Sequence, residues 1–303
     1  MVTSSIRLLA LDIDGTLLDP QFKISALNLA ALRAAHAAGI EIVLATGRRH
    51  DYALPIAYEL GFPVWLISSN GAMMRSSGGE TFFTDRLPAA IALQVIQHMD
   101  DFRGHAVLTF DRQSNDREGN DRQGNGALVL ERFEELNQSI SRWLEMNAPF
   151  IQYVSPLEKA LTEDPIQAMY CGRVARMEEA QLRLRQAEFL DKITVLKTQY
   201  DHRDLCILDI LNRECSKGHT LRRWAEQHGL VREQIMAIGD NYNDLEMLEF
   251  AGLAVVMGNA SEELKQNGWK VTASNAENGV AQAVKEILGW LSAANWVKIG
   301  MLL

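Results

Sequence analysis

The stretch Leu8-Leu9-Ala10-Leu11-Asp12-Ile13-Asp14-Gly15-Thr16 decides how the rest of the chain is read. An apolar run from Ile6 to Leu11 has the character of a buried strand, and it ends in two carboxylates spaced one residue apart. A buried strand has no structural use for two aspartates at its tip. Two acids where a strand opens into a loop suit a metal or proton-transfer site. Asp and Gly are also ordinary turn residues, so a plain polar turn accounts for this stretch equally well on its own. The remainder of the chain separates the two readings.

The chain has 303 residues, room for two domains or one large one, and at 47% hydrophobic and 23% charged residues it can bury a proper core. A formal net charge of -9 disfavours nucleic acid as a main partner but leaves room for a local phosphate pocket. The three cysteines, Cys171, Cys206 and Cys215, form no Cys-x-x-Cys pair, which fits a reducing, cytoplasmic compartment. Cys171 and Cys206 lie in apolar runs and read as core residues rather than nucleophiles. Met1 to Ile6 lacks the pattern of a signal peptide, and no stretch approaches the length of a membrane span. The apolar tail from Gly289 to Leu303, interrupted by Lys298 and Gly300, reads as a packing or contact segment rather than an anchor.

After the opening strand, Ser25 is positioned to cap an alanine-rich helix that Gly39 ends, with Ile24 and Leu29 spaced as a hydrophobic staple. A second strand, 41–45, runs into Thr46-Gly47-Arg48. A helix over about 51–60 follows, and a third strand, 64–67, runs into Ser68-Ser69-Asn70-Gly71. Near-continuous apolar strands alternating with helices indicate a parallel sheet covered by helices, hence an α/β core. From about Arg86 to Ile210 the order changes to helix, hairpin, helix, strand, strand, helix and two strands, which reads as an inserted α+β unit. The expected division is 1–85 with 211–303 for the core and 86–210 for the insert. Between the hairpin strands, residues 111–125 repeat with a period of five, in polar and glycine-rich units such as Asp116-Arg117-Glu118-Gly119-Asn120. That period matches neither a helix face nor a strand face, so the segment reads as a solvated hairpin extension. After the insert, Ser216 is placed to cap a helix from Lys217 to about His228. A strand, 235–238, then opens into Gly239-Asp240-Asn241-Tyr242-Asn243-Asp244.

In an open α/β sheet, ligands bind beyond the carboxyl ends of the strands. Here those ends carry Asp12 and Asp14, then Thr46, Gly47 and Arg48, then Asn70 and Gly71, then Gly239, Asp240, Asn243 and Asp244. Lys217 lies in the first turn of the intervening helix, where a helix N-terminus also favours an anion. This convergence favours a phosphate-and-metal site over a set of unrelated turns. Mg²⁺ is usually held by one or two carboxylates with substrate phosphate oxygens and water, for which Asp12 and Asp240 are the natural ligands. The same Asp12 can attack phosphorus to give an aspartyl-phosphate, and Asp14, two residues on, can serve as acid and then base. Lys217 and Thr46 would hold charge on the transferring group. Arg48 either contacts substrate or orients its own loop. Tyr170, Cys171 and Gly172 either face a cleft or fill the insert's core.

Four segments, Asp12-Ile13-Asp14-Gly15-Thr16, Thr46-Gly47-Arg48, Ser216-Lys217-Gly218 and Gly239-Asp240-Asn241-Tyr242-Asn243-Asp244, resemble the four motifs of the haloacid dehalogenase-like hydrolases. Asn70-Gly71-Ala72, Leu208-Asp209-Ile210 and Met257-Gly258-Asn259-Ala260 resemble the Cof-type branch. The resemblance covers nearly the whole chain. It implies a Rossmann-like, doubly wound parallel-sheet core with an α+β cap inserted between the second and third motifs, and Mg²⁺-dependent hydrolysis of phosphate esters. It also implies that Asp12 is nucleophile and metal ligand, and that Asp14 is the acid/base and binds metal through its backbone carbonyl. Thr46 and Lys217 would bind the phosphoryl group, Asp240 the metal, Asp244 metal or lysine, and Asn243 the phosphate.

The resulting expectation is a cytoplasmic phosphatase of a small phosphorylated metabolite. A sugar-phosphate mutase or transferase, a phospho-acceptor signalling receiver and a silent binding protein are the alternatives. A receiver needs only one small domain and places its acceptor on a middle strand. A mutase would isomerise a sugar phosphate rather than release phosphate. Specificity is assigned to cap residues, with sugar phosphates, pyridoxal phosphate and nucleotide or flavin-pathway phosphates all open.

Overall fold

The computed structural model describes residues 6–112, 125–134 and 137–289. Most of the 111–125 repeat, the apolar tail beyond Gly289 and the start of the chain lie outside the described residues. The chain divides into two compact units, with breaks at Phe82/Phe83 and Ser216/Lys217.

The first unit begins with β1 (Leu8–Asp12), α1 (Ala26–Ala37), β2 (Glu41–Ala45), α2 (His50–Leu60), β3 (Trp65–Ser68), β4 (Met73–Ser76) and β5 (Thr81–Thr84). The second unit carries α3 (Ala89–His98), β6 (Ala106–Thr109), β7 (Leu128–Leu130), α4 (Gln138–Asn147), β8 (Ile151–Tyr153), β9 (Gln167–Gly172), α5 (Val174–Leu184), β10 (Ile193–Tyr200) and β11 (Leu205–Asn212). The chain then completes the first unit with α6 (Lys217–Gln227), β12 (Ile235–Gly239), α7 (Leu245–Phe250), β13 (Leu253–Val256), α8 (Glu262–Lys265), β14 (Lys270–Val271) and α9 (Gly279–Ile287).

The core sheet has the order β14-β13-β12-β1-β2-β3-β4-β5. From β14 to β3 every neighbouring pair is parallel, whereas β4 returns antiparallel to β3. Successive strands move outward from β1 on one side, and β12 to β14 do so on the other. β1 is therefore the topological switch point, beyond whose carboxyl end an open α/β sheet forms its crevice. All five residues of β1 are buried, as a strand covered on both faces requires. Leu9 and Leu11 join Ile42, Leu44, Leu66, Ile238 and Val255 in one core that α1, α2 and α9 close with Leu32, Ile56 and Val284. The Ser25 hydroxyl accepts from Asn28 N at 3.1 Å, so α1 is capped as its sequence expects. The β4–β5 hairpin was not anticipated, although Gly78-Gly79 marks its turn.

The second unit is a mixed sheet in the order β10-β11-β9-β6-β7-β8. The expected hairpin of β6 with β7 is present, in antiparallel register Leu108↔Val129. α3 and α5 bury Val95, Ile96, Met177 and Leu184 against Leu108, Tyr170 and Leu208 on one face. Trp143 and Leu144 of α4 pack near Val107, Leu130 and Met169 on the other. Tyr170, Cys171 and Gly172 are all buried, as a core role requires. Burial pushes the Cys171 thiol up to about 12 and the Cys206 thiol up to about 11, so neither is a reactive thiolate. The expected boundary at 210 falls short. β11 pairs with β10 as far as Ile193↔Asn212, and Asn212 Nδ2 donates to Asp85 Oδ1 at 2.6 Å, tying the two ends of this unit together.

α6 approaches α7 so closely that a Cβ on Gly218 would lie 2.4 Å from the backbone carbonyl carbon of Glu246. Alanine in place of a helical glycine ordinarily gains up to about 1 kcal/mol. Here the overlap is with backbone, and overpacking of that kind costs about 1–3 kcal/mol. Gly218→Ala is expected to lower the urea midpoint with the m-value unchanged.

Candidate active site

The register of the core sheet assembles the site. Asp12 ends β1 opposite Ala45, so Thr46 is the next residue on that side; Leu11 pairs with Ile238, so Gly239 and Asp240 follow on the other. Asp12 is buried, and its Oδ1 accepts from Lys217 Nζ at 2.7 Å. The same ammonium donates to Asp244 Oδ1 at 2.8 Å, and the lysine side chain is fully enclosed. Asp244 Oδ2 accepts from the backbone N–H groups of Asp240 and Asn241, both at 3.1 Å, which holds the Gly239–Asp244 loop in shape. Asp240 Oδ1 accepts from the Thr16 hydroxyl at 3.0 Å. Asp12, Asp240 and Asp244 can each present a carboxylate oxygen within 4.8 Å of the others.

Three buried carboxylates share one lysine, and the imbalance shows in their protonation. Burial, together with Asp244 and Asp14, pushes the Asp12 carboxyl up to about 7 against the pull of Lys217. Burial likewise lifts Asp240 well above the usual carboxylate range, with Asp12 and Asp244 adding to the effect. Burial alone would lower the Lys217 ammonium, but Asp12 and Asp244 outweigh it and keep it charged. An all-oxygen donor set with excess negative charge fits a hard divalent cation.

Asp14 has a different environment. Its side chain is partly exposed and lies outside the three-carboxylate group, gripped by Arg48 through Nε–Oδ2 at 2.7 Å and Nη2–Oδ1 at 2.6 Å. Arg48 also lies 4.9 Å over the Tyr52 ring, and its backbone N–H donates to the Thr46 hydroxyl at 3.1 Å. Arg48, read from the sequence as contacting substrate or orienting its own loop, is here bonded through its side chain to Asp14 and through its backbone to Thr46. The Ser69-Asn70-Gly71 turn takes positive φ at all three residues. Asn70 N donates to Thr46 O at 3.0 Å, and the Asn70 side-chain oxygen accepts from Asn243 Nδ2 at 2.8 Å. Thr46, Gly47, Asn70 and Asn243 therefore form one connected wall, in which Asn243 is bound to protein. Thr220 supports it by donating to Gly71 O at 2.6 Å.

The sequence-predicted residues thus gather at one sheet edge in three sets: Asp12 with Lys217, Asp240 and Asp244; Asp14 with Arg48; and Thr46, Gly47, Asn70 and Asn243. Sequence reasoning assigned no role to Thr16, Thr220 or Asn259. Thr16 was inside the opening stretch and Asn259 inside a quoted motif, but their partners are remote in sequence.

The family profile of haloacid dehalogenase-like hydrolases matches residues 9–284. The chain is 30% identical to the phosphatase YwpJ of Bacillus subtilis, an alignment covering 93% of this chain and 100% of that one. It is 28% identical to the pyridoxal phosphate phosphatase YbhA of Escherichia coli, over 92% and 97% of the two chains. The crystal structure of a haloacid dehalogenase-like hydrolase from Bacteroides thetaiotaomicron superposes with a TM-score of 0.73 at 27% identity, covering 93% of this chain and 99% of that one. With the strand order, the converging strand ends and these similarities together, the chain belongs to the haloacid dehalogenase-like hydrolases, among their Cof-type phosphatases.

Proposed function

We propose that the protein hydrolyses phosphate monoesters of small metabolites by way of an aspartyl-phosphate. The observation that carries this reading is the contrast between two aspartates one residue apart: Asp12 buried on Lys217, and Asp14 partly exposed on Arg48. Two carboxylates in unlike environments can take unlike roles.

Lys217 holds Asp12 Oδ1, which fixes the carboxylate's rotamer and leaves Oδ2 outside that ion pair as the attacking oxygen. In the first half-reaction the Asp12 oxygen forms a bond to phosphorus while the ester P–O bond breaks. Asp14, in its acid form, gives its proton to the departing alkoxide. In the second half, Asp14 as carboxylate takes a proton from water, the resulting hydroxide bonds to phosphorus, and the acyl-phosphate P–O bond breaks. Inorganic phosphate leaves and Asp12 is restored. Arg48, bonded to both Asp14 oxygens, orients that carboxyl group for both transfers. Lys217, Thr46 and the Asn70–Asn243 pair line the place of the phosphoryl oxygens. Mg²⁺, which Asp12, Asp240, Asp244 and the Asp14 carbonyl would hold, supplies positive charge against those oxygens. The printed activities of relatives, such as pyridoxal phosphate phosphatase, support a small phosphorylated metabolite as substrate. No described helix is long and apolar enough to cross a membrane. Three buried cysteines outside any disulfide agree with a reducing compartment such as the cytoplasm.

Asp12→Asn is expected to lower turnover of p-nitrophenyl phosphate by at least about 10³-fold while thermal unfolding stays cooperative; wild-type turnover in that variant would remove the nucleophile assignment. Excess EDTA is expected to abolish activity, with Mg²⁺ restoring it and phosphate, not an isomerised sugar phosphate, as the released product. In chelator, stability should fall as pH rises. Asp12 titrates at 3.8 in the unfolded chain and about 7 in the fold, so the folded state binds more protons across that window. The melting temperature in EDTA is therefore expected to be higher at pH 5.5 than at pH 8, and Mg²⁺ to raise it most at the higher pH.

A further inference from the structure

Asn259, which the mechanism above does not use, is an exposed side chain with an unusual number of fixed partners. Its Nδ2 donates to Gly15 O at 2.8 Å and to Asp240 Oδ2 at 3.3 Å. Its Oδ1 accepts from Asn275 N at 2.9 Å, and that bond fixes which end of the amide faces Asp240. Asn275 Nδ2 in turn donates to Leu18 O at 2.7 Å. One amide thus connects the turn after β1, the carboxylate after β12 and the loop before α9. The other side of Asp240 is equally constrained. Thr16 holds Oδ1, and Gly15, at φ +85°, lies so close that a Cβ there would stand 2.3 Å from Oδ2. Both oxygens of Asp240 are therefore set by neighbours that are not themselves carboxylates.

Hydrogen bonds of this kind orient a ligating carboxylate and are worth about 10–100-fold in metal affinity when removed. We propose that Asn259 is a positioning residue for the cation: it aims Asp240, and through Gly15 O it fixes the turn that follows Asp12 and Asp14. The inference rests on Asp240 being a cation ligand, as the proposed function has it. The 3.3 Å length of the Asp240 contact places the expected effect at the lower end of that range, about tenfold. Because Asn259 is exposed, truncating it opens no core cavity. A loss of cation affinity without a comparable loss of stability is therefore the signature.

The test is the Mg²⁺ concentration giving half of the Mg²⁺-dependent rise in melting temperature, measured on the full chain from a chelated start. Asn259→Ala and Asn259→Ser are each expected to raise it about tenfold, with the chelated melting temperature within a few degrees of wild type. Asn275→Ala removes the tie to Leu18 but leaves the Asp240 contacts, and is expected to keep half-saturation within about twofold of wild type. Half-saturation unchanged in both Asn259 variants overturns the inference. So does an equal increase in Asn275→Ala, which would mark a general loop effect. If wild type itself shows no Mg²⁺-dependent rise, the cation reading falls and this inference with it.

Discussion

The ammonium of Lys217, sealed between Asp12 and Asp244, is the interaction on which the rest of the site depends. A lysine in the first turn of a helix is disfavoured by the helix dipole by about 0.3–1 kcal/mol. Burying it is costlier still. Both penalties are offset because two carboxylates from the ends of other elements reach the same nitrogen. Removing one partner of such a buried pair leaves an uncompensated charge, at about 3–5 kcal/mol. The contact therefore holds the starts of α6 and α7 against the end of β1. The close approach of Gly218 to Glu246 is the backbone counterpart of the same convergence.

The lysine does not balance the charge. A third carboxylate, Asp240, completes a cluster that burial drives toward protonation. Such a cluster could hold a divalent cation. Asp14 escapes the conflict because it faces outward, where a planar guanidinium meets both of its oxygens. Moving two residues along one chain thus passes from a dry anion cluster to a half-wet ion pair. That gradient gives otherwise identical side chains unlike environments, and the proposed division of nucleophilic and proton-transfer work rests on it.

Much of this was legible in the sequence for definite reasons. Apolar runs such as Leu8–Leu11 and Ile235–Ile238 are continuous because strands covered on both faces have no polar side, and the polar residues closing them mark the carboxyl edge. Ser25 capped its helix as read, because capping is a contact over three residues. Other features left weaker traces. Arg48 could be read toward substrate or toward its loop, and its pairing with Asp14 spans 34 residues. Thr16 meets Asp240 across 224 residues, and Asn259 meets Gly15 across 244. No local pattern records such pairings. The insert runs past the expected end at 210 because Leu211 continues the strand without a turn residue, and only the ladder with β10, which reaches Asn212, shows where it stops.

By itself, the sequence determined most of the elements (though not the β4–β5 hairpin), their order, and that four strand ends would carry the acids, the threonine and the loop that a phosphate site needs. Periodicity, caps and turn chemistry are local, so they are written in neighbouring residues. The tertiary structure decided the rest. It placed β1 between β2 and β12, which sets the register that brings Thr46 and Asp240 to either side of Asp12. It gave Lys217 to two carboxylates, Arg48 to Asp14, and Asn259 to Asp240. Those assignments depend on which buried charges and amides find partners when distant segments pack, and that choice is made only when water is excluded from the assembled edge.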